Sequence, residues 1–275
     1  MPLITFAALG REFAGNSHSA YFFDADLVRV SFRSRKVQHG ARDMSDATGG
    51  ANSPAPWSND RFEAELRGFG PLGILAILVI AAGQIIAPLS AVLALVWTAL
   101  SRTPWREIGY VRPKSWIGGL ALGIAFGVSF KFLMKAVVMP LLGADPTNQA
   151  YHFLAGNQAA LPGVILQMIV VAGFGEETFF RGYMFERMGK LLGHSLAAKI
   201  AAVLLTSAIF ASLHYFDQGL AGSEQAMITG LIFGTIFVVR GQLWMLMCAH
   251  AAFDLTAVAL IYLNLESPIA HLIFK

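Results

Sequence analysis

Acidic and basic side chains that could catalyse hydrolysis interrupt three otherwise apolar stretches of this chain. They are, in chain order, Glu176, Glu177, Arg181, His214, His250 and Asp254. Ionisable residues inside apolar segments of membrane length are rare and usually functional. A carboxylate can take a proton from water, and a histidine can orient the water or stabilise an anion. The set therefore predicts a hydrolytic site or a metal site.

The spacing of these residues divides the acid pair into two roles. Glu177 and Arg181 are four residues apart, in the order that favours an ion pair on a helix. Glu176 then points about 100° away and is free to face the histidines. His250 and Asp254 are also four apart, which suits two ligands of one ion or a histidine oriented by its own carboxylate. We expect Glu176 to do the chemistry and Glu177 with Arg181 to support it.

Composition places these stretches in a membrane. Charged residues make up 13% of the chain, against about 25% in an ordinary soluble domain. The mean hydropathy is +0.59. About six apolar blocks predict membrane helices, at 71–100, 116–139, 161–187, 196–215, 224–240 and 242–264. Most reach or approach the ~20 residues that span the hydrocarbon core. The expected fold class is an all-α, polytopic membrane helix bundle, and its Lys and Arg lie between the blocks, so nucleic acid is not an expected partner.

Residues 1–68 predict a disordered or poorly ordered tail, followed by a transmembrane domain over 69–275. The tail is rich in Asn, Ser, Gly and Asp and shows no sustained helical period. No signal peptide is recognisable in it. We expect Met44 to be the natural start and residues 1–43 to be dispensable; an intact Met1 peptide from the native protein would contradict this.

Basic residues in the loops predict an orientation in the cell membrane. They occur in the gaps at 101–115, 187–199 and 240. The gaps at 140–160 and 216–223 contain no Lys or Arg. The positive-inside rule therefore places the three basic gaps in the cytoplasm.

The orientation of the tail is a point of conflict. Six membrane helices would put the tail outside, whereas Arg61 and Arg67 argue for the cytoplasm. A re-entrant 71–100 block would remove the conflict and leave the tail inside.

Counting along the helices predicts that the acid and the histidines meet. Glu176 and His214 lie equally far from Ser195, at the predicted turn between two antiparallel helices. Counted from the basic turns at ~1.5 Å per residue, Glu176 lies about 16 Å and His250 about 13 Å inside. We therefore expect one site below the cytoplasmic surface that opens toward the cytoplasm.

The 116–139 block has two further features. Gly119, Gly123 and Gly127 recur every four residues, which predicts a face for close packing against another helix. Lys131 and Lys135 follow them, and we expect both to extend toward the membrane interface.

The three motifs resemble those of the CPBP family of membrane proteases, which includes CAAX proteases and bacteriocin-processing, Abi-like proteins. Its pattern is E-E-x-x-x-R, then F-x-x-x-H, then H-x-x-x-N or H-x-x-x-D, on separate membrane helices. Here the motifs run from Glu176 to Arg181, from Phe210 to His214 and from His250 to Asp254. Each is weak alone, but all three in this order are specific. The likeness extends over residues 100–265.

The resemblance implies an intramembrane endopeptidase that hydrolyses peptide bonds at or within the membrane. Glu176 would activate water, His214 would help to position it, and His250 with Asp254 would stabilise the oxyanion or hold a metal. His214, His250 and Asp254 are thus candidate zinc ligands, although the spacing does not decide between zinc and a metal-free glutamate mechanism. Aspartate stands at 254 where the prenyl-protein peptidases usually carry asparagine, and an ionised aspartate is a poor hydrogen-bond donor to an oxyanion.

Two other classes of function could use the same residues. A proton- or ion-coupled transporter would relay protons through buried Glu and His, but an internal helix repeat is not visible. A non-catalytic membrane scaffold would keep the helices and motifs. The expected partners are the lipid bilayer and a peptide or membrane-protein substrate, and the sequence gives neither the identity of the substrate nor the oligomeric state.

Overall fold

The computed structural model describes residues 59–86 and 88–274, and this part of the chain consists of helices and loops. Besides short 3₁₀ turns its helices are α1 (Asn59–Arg67), α2 (Pro71–Ala82), α3 (Leu89–Leu100), α4 (Trp116–Leu141), α5 (Leu161–Leu192), α6 (Leu196–Arg240), α7 (Trp244–Tyr262) and α8 (Glu266–Ala270). Four of them, α4 to α7, are long and apolar enough to cross a membrane, and α1 with α2 is a bent fifth candidate. The predicted all-α membrane bundle is confirmed.

Helix α6 consists of two antiparallel arms. Gly219 has φ 66° and ψ −160°, a conformation essentially restricted to glycine, and it breaks the helix. Residues nearly equally far from the break then meet, since a Cβ on Gly230 would lie 2.9 Å from the Cβ of Ser207. The helices predicted at 196–215 and 224–240 are these two arms.

The prediction of one helix over 71–100 is wrong. The chain instead forms α2 and α3, of 12 residues each. At about 18 Å each is too short to span the hydrocarbon core. Between them the chain turns back, with Gly83 against Ser90 and Gln84 Nε2 donating to Ser90 Oγ at 2.6 Å. Pro88 stands directly before α3.

The basic loops lie together at one end of the bundle, called the basic end below. Leu243 N donates to the carbonyl of Gly109 at 3.0 Å, which joins the turn after α6 to the 101–115 loop. Arg187, near the end of α5, donates to the carbonyl of Arg67 at 3.0 Å. The three gaps that the positive-inside rule groups together are therefore neighbours in space.

The α2–α3 hairpin enters and leaves the bundle at this same end. Arg102 Nε pairs with Glu63 at 2.8 Å, and Trp97 Nε1 donates to the carbonyl of Leu66 at 3.0 Å. The end of α3 thus meets the end of α1. Arg67 lies with the other basic residues, and a hairpin over the 71–100 block is the arrangement that the re-entrant alternative requires.

Helix α1 overlaps the stretch that was predicted as a poorly ordered tail. Its nine residues fall inside the stretch 1–68, and Leu66 is buried in a cluster that includes Trp97. A poorly ordered tail is therefore wrong for residues 59–67. The predictions for residues 1–58, including the start at Met44, lie outside the described residues, and the 68/69 domain boundary stays a prediction.

Helix α7 runs between α4 and α5 at backbone contact. On the α4 side, a Cβ on Gly127 would overlap the carbonyl oxygen of Ala249, and one on Gly123 would lie 2.7 Å from the carbonyl oxygen of Met245. Gly119 instead packs against the indole ring of Trp244. On the α5 side, a Cβ on Gly173 would lie 2.9 Å from the carbonyl oxygen of Met247. The predicted packing face of α4 is confirmed, and it fixes α7 beside the acidic segment of α5.

Candidate active site

The acidic motif lies on a widened section of α5. Between Met168 and Met184 the backbone hydrogen bonds follow the π pattern. Such turns are usually single and mostly found at functional sites. Two glycines allow close packing in this section, since a Cβ on Gly175 would lie 3.2 Å from Pro88 and one on Gly182 would lie 2.9 Å from the carbonyl oxygen of Ile108. These glycines are the sequence signal for the distortion.

Glu177 is the centre of a buried charged network. Its Oε1 accepts from Arg181 Nη1 at 2.8 Å and from His250 Nδ1 at 2.6 Å. Glu177 is 0% and Arg181 2% exposed. The guanidinium also lies over the rings of Phe210 and Phe233, at 5.0 and 5.5 Å from their centroids. The predicted ion pair is therefore present, and the bond from Glu177 to His250 adds an interhelical contact that the spacing did not indicate.

Glu176 points to the other nitrogen of His250. Its Oε2 is 3.7 Å from His250 Nε2, and Asp254 Oδ2 is 3.6 Å from the same nitrogen. Because a carboxylate only accepts, His250 Nδ1 must donate to Glu177, and the ring orientation is fixed. Glu176 Oε2 is buried without a hydrogen-bond partner among the described residues. It is therefore free to accept a bond from a molecule beside it.

His214 is fixed by its own helix. Its Nδ1 donates to the carbonyl of Phe210 at 2.9 Å, and the two rings lie 4.3 Å apart. In the neutral ring this leaves Nε2 as an acceptor. Phe210, the first residue of the second motif, thus orients the histidine four residues later.

A cavity of about 100 Å³ brings the candidate catalytic residues together. Its walls include all four of them, Glu176, His214, His250 and Asp254. Further polar lining comes from Lys131, Asn148, Tyr151, Gln167, Gln218, Gln225 and Thr229. The sequence predicted that Glu176, His214 and His250 meet, and the three line one cavity.

The cavity extends away from the basic end, whereas the sequence predicts an opening toward it. Asn148 and Tyr151 belong to the 140–160 segment, and Gln218 adjoins the break in α6. Toward the basic end, buried Arg181, Phe180 and Tyr183 fill the space. Counting residues predicted that the catalytic residues meet at one level. It could not predict on which side buried aromatic side chains close the cavity.

Two residues of the cavity wall, Tyr151 and Lys131, were not predicted from the sequence to lie there. Burial, reinforced by the charges of Asp254 and Glu176, raises the pKa of the Tyr151 phenol above its ordinary value. The phenol is therefore a neutral hydrogen-bond donor at pH 7. Lys131, expected at the interface, is instead buried in the cavity wall. A hydropathy pattern does not tell which face of a helix meets a cavity.

The predicted zinc ligands do not form a metal site in this arrangement. Among residues 59–86 and 88–274, no three His, Cys, Asp or Glu side chains are placed to hold one ion. His250 and Asp254 are neighbours, whereas His214 lines the same cavity but has no carboxylate within 4.0 Å in that part of the chain.

Comparison with known proteins agrees with the motifs. No curated protein and no solved structure matched the chain. Residues 158–256 match a family model, which runs from before α5 into α7 and includes all three motifs. That model is described as Rce1-like, type II CAAX prenyl endopeptidase, so the resemblance to the CAAX proteases predicted from the motifs is confirmed over this segment.

Proposed function

We propose that this protein is a membrane-embedded endopeptidase in which Glu176 activates water. One observation carries the proposal: the buried Glu176 Oε2, without a hydrogen-bond partner among the described residues, faces the cavity 3.7 Å from the fixed ring of His250. The protease family matched by residues 158–256 supports the reaction class.

In the proposed first step, Glu176 removes a proton from water as the water oxygen attacks the peptide carbonyl carbon. His214 Nε2 accepts the second hydrogen of that water and so aims its lone pair at the carbonyl. General-base help of this kind typically gives a 10²–10⁴-fold acceleration. His214 can take this part because its Nδ1 is already occupied by the carbonyl of Phe210.

The oxyanion that forms needs a donor, and we assign His250 to it. In its cationic form His250 donates from Nδ1 to Glu177 and has Nε2–H left for the oxyanion. Asp254, at 3.6 Å from Nε2, offsets the charge of this ring and does not itself donate. When the C–N bond breaks, Glu176 returns its proton to the departing nitrogen. No step uses a metal, because the donor atoms are not grouped around one point.

The orientation that we propose has the basic end in the cytoplasm of a cell membrane. This follows from the positive-inside rule and from the clustering of all three basic loops at one end. In this orientation the cavity extends from the catalytic residues toward the side of the bundle away from the cytoplasm.

Proteolysis by the purified protein tests the function. Wild type in detergent is expected to cleave a membrane-anchored C-terminal peptide, and Glu176→Gln is expected to lose about 10²–10⁴-fold in kcat. Glu107→Gln is the matched control, since Glu107 is exposed in the basic 101–115 loop. Full turnover by Glu176→Gln would contradict the mechanism. Activity lost on chelation and restored by zinc would contradict the metal-free part alone, and folded wild type that cleaves nothing would favour a scaffold.

A further inference from the structure

The 101–115 loop contacts both of the helices that carry the acid pair and His250. Tyr110 Oη lies 2.8 Å from Thr178 Oγ1 on α5. The carbonyl of the preceding residue, Gly109, accepts from the backbone nitrogen directly before α7 at 3.0 Å. Because two consecutive loop residues hold α5 and α7, this loop can fix the position of one helix relative to the other.

The hydrogens in the contact between Tyr110 and Thr178 can be assigned. The hydroxyl of Thr178 donates to the carbonyl of Phe174 at 2.7 Å, and a hydroxyl has only one hydrogen to give. Tyr110 is therefore the donor to Thr178. A chain of two hydrogen bonds runs from the loop through Thr178 to the backbone of α5. Thr178 is 0% exposed, so water does not replace either bond.

The bond from Thr178 to Phe174 favours the widened form of α5. In an α-helix the carbonyl of Phe174 would pair with the amide of Thr178, whereas in the π pattern it pairs with the amide one residue further on. The hydroxyl of Thr178 takes the place that its own amide leaves, and Tyr110 holds this hydroxyl. Glu176 and Glu177 lie within the same turn, so the directions of both carboxylates depend on it.

We propose that Tyr110 is a positioning residue, whose phenol holds the turn around Glu176 in register with His250 for the attack on the peptide bond. The inference rests on the proposed peptidase function. Tyr110 does not line the cavity, so it acts through Thr178 and not by touching the substrate. A misplacement of reacting groups by about 1 Å can cost on the order of 10²-fold in rate. Loss of the phenol oxygen is therefore expected to lower turnover and to leave substrate binding unchanged.

Removal of single oxygen atoms tests the proposal. Tyr110→Phe and Thr178→Val are each expected to lower kcat by about 10–100-fold, with KM nearly unchanged. Thr178→Ser keeps the hydroxyl and is expected to retain most of the turnover. The double variant of Tyr110→Phe with Thr178→Val is expected to lose no more than Thr178→Val alone, because both changes break one chain of bonds.

Two control variants remove the same groups elsewhere. Tyr262→Phe removes a phenol oxygen at the last residue of α7. Thr98→Val removes a buried hydroxyl on α3 that donates to the carbonyl four residues before it at 2.8 Å, as Thr178 does on α5. Both are expected to keep the kcat of wild type. A loss in Thr98→Val as large as that in Thr178→Val would overturn the proposal, since the loss of any buried hydroxyl would then be enough.

Hydrogen–deuterium exchange separates this inference from the function it rests on, because it needs no turnover. In Tyr110→Phe the backbone amides of residues 168–184 are expected to exchange faster than in wild type, while those in the first arm of α6 keep their rates. If wild type cleaves nothing but this local difference is present, the peptidase proposal fails and the link from Tyr110 to α5 stands. If wild type and Tyr110→Phe cleave with equal kcat, the peptidase proposal stands and the role of Tyr110 is overturned.

Three further outcomes would also overturn it. A higher KM with unchanged kcat in Tyr110→Phe would show that the phenol acts in substrate binding. Equally faster exchange in all helices would show that it only stabilises the bundle as a whole. Equal turnover of Thr178→Ser and Thr178→Val would show that the hydroxyl between the loop and α5 is not needed. This last comparison does not use Tyr110→Phe, so a misfolded Tyr110→Phe would not leave the proposal untested.

Discussion

Glu177 Oε1 accepts hydrogen bonds from Arg181 at 2.8 Å and from His250 at 2.6 Å, so one buried oxygen joins a neighbour on its own helix to a ring on α7. The carboxylate thereby offsets the guanidinium charge and fixes the orientation of the histidine ring. The candidate catalytic histidine is positioned by the acid that does not face the cavity. Glu177 therefore both stabilises the buried Arg181 and positions the catalytic histidine.

Glu177→Gln should destabilise the protein as well as reduce activity. The substitution leaves the 2% exposed Arg181 without its carboxylate, and breaking a buried pair from one side typically costs about 3–5 kcal/mol. Thermal or denaturant unfolding in detergent measures this. In the double variant with Arg181→Met the loss should be smaller than the sum of the two single losses. Additive losses would show that the two side chains do not interact.

Asp254→Asn should keep activity within about tenfold of wild type, which is ~1.4 kcal/mol in the barrier. The carboxylate at 3.6 Å from His250 supports the charge of the ring, and the amide would replace this with a donor to the oxyanion. Initial rates of wild type, Asp254→Asn and Asp254→Leu measure the effect, with Asp254→Leu as the variant that supplies neither. A loss in Asp254→Asn as large as that in Glu176→Gln would show that the charge itself is required, as a metal ligand would be.

The proposed orientation predicts which residues a membrane-impermeant maleimide reaches. Cys248 is the only cysteine, so Cys248→Ala gives an unlabelled background. On intact cells, a cysteine at exposed Gln158 should react and one at exposed Arg106 should react only after permeabilisation. The reverse pattern would place the basic end outside. Equal labelling before permeabilisation would indicate leaky cells, which a cytoplasmic marker protein controls for.

The site was predictable where its contacts are local or follow from helix length. The Glu177–Arg181 pair comes from a four-residue spacing, and the shared cavity of Glu176 with His214 comes from equal distances to one turn. The bond from Glu177 to His250 depends on how two different helices are rotated and on the π section of α5. Neither the rotation of the helices nor the π section can be predicted from residue spacing.

The path of the 71–100 block was not predictable from its composition. An apolar block of that length fits one long helix or two short ones, and it is contacts such as that of Gly83 with Ser90 that show that the chain folds back. Lys131 illustrates the same limit, because the cost of burying it depends on Gln225 and Phe253, which belong to other helices.

Gly127→Ala should destabilise the bundle because the new methyl group meets backbone, which cannot rotate away. The Cβ would overlap the carbonyl oxygen of Ala249, so α4 and α7 would have to separate. Overpacking typically costs about 1–3 kcal/mol, and a backbone clash lies at the upper end of that range. Gly163→Ala is the matched control, since a Cβ there meets nothing within 4 Å and alanine favours a helix. Relative to wild type in the same detergent, the unfolding temperature should fall for Gly127→Ala and stay level or rise for Gly163→Ala. Equal unfolding temperatures for the two variants would contradict the backbone contact between α4 and α7. Because α7 also carries His250, peptidase activity should fall in Gly127→Ala at temperatures where it is still folded.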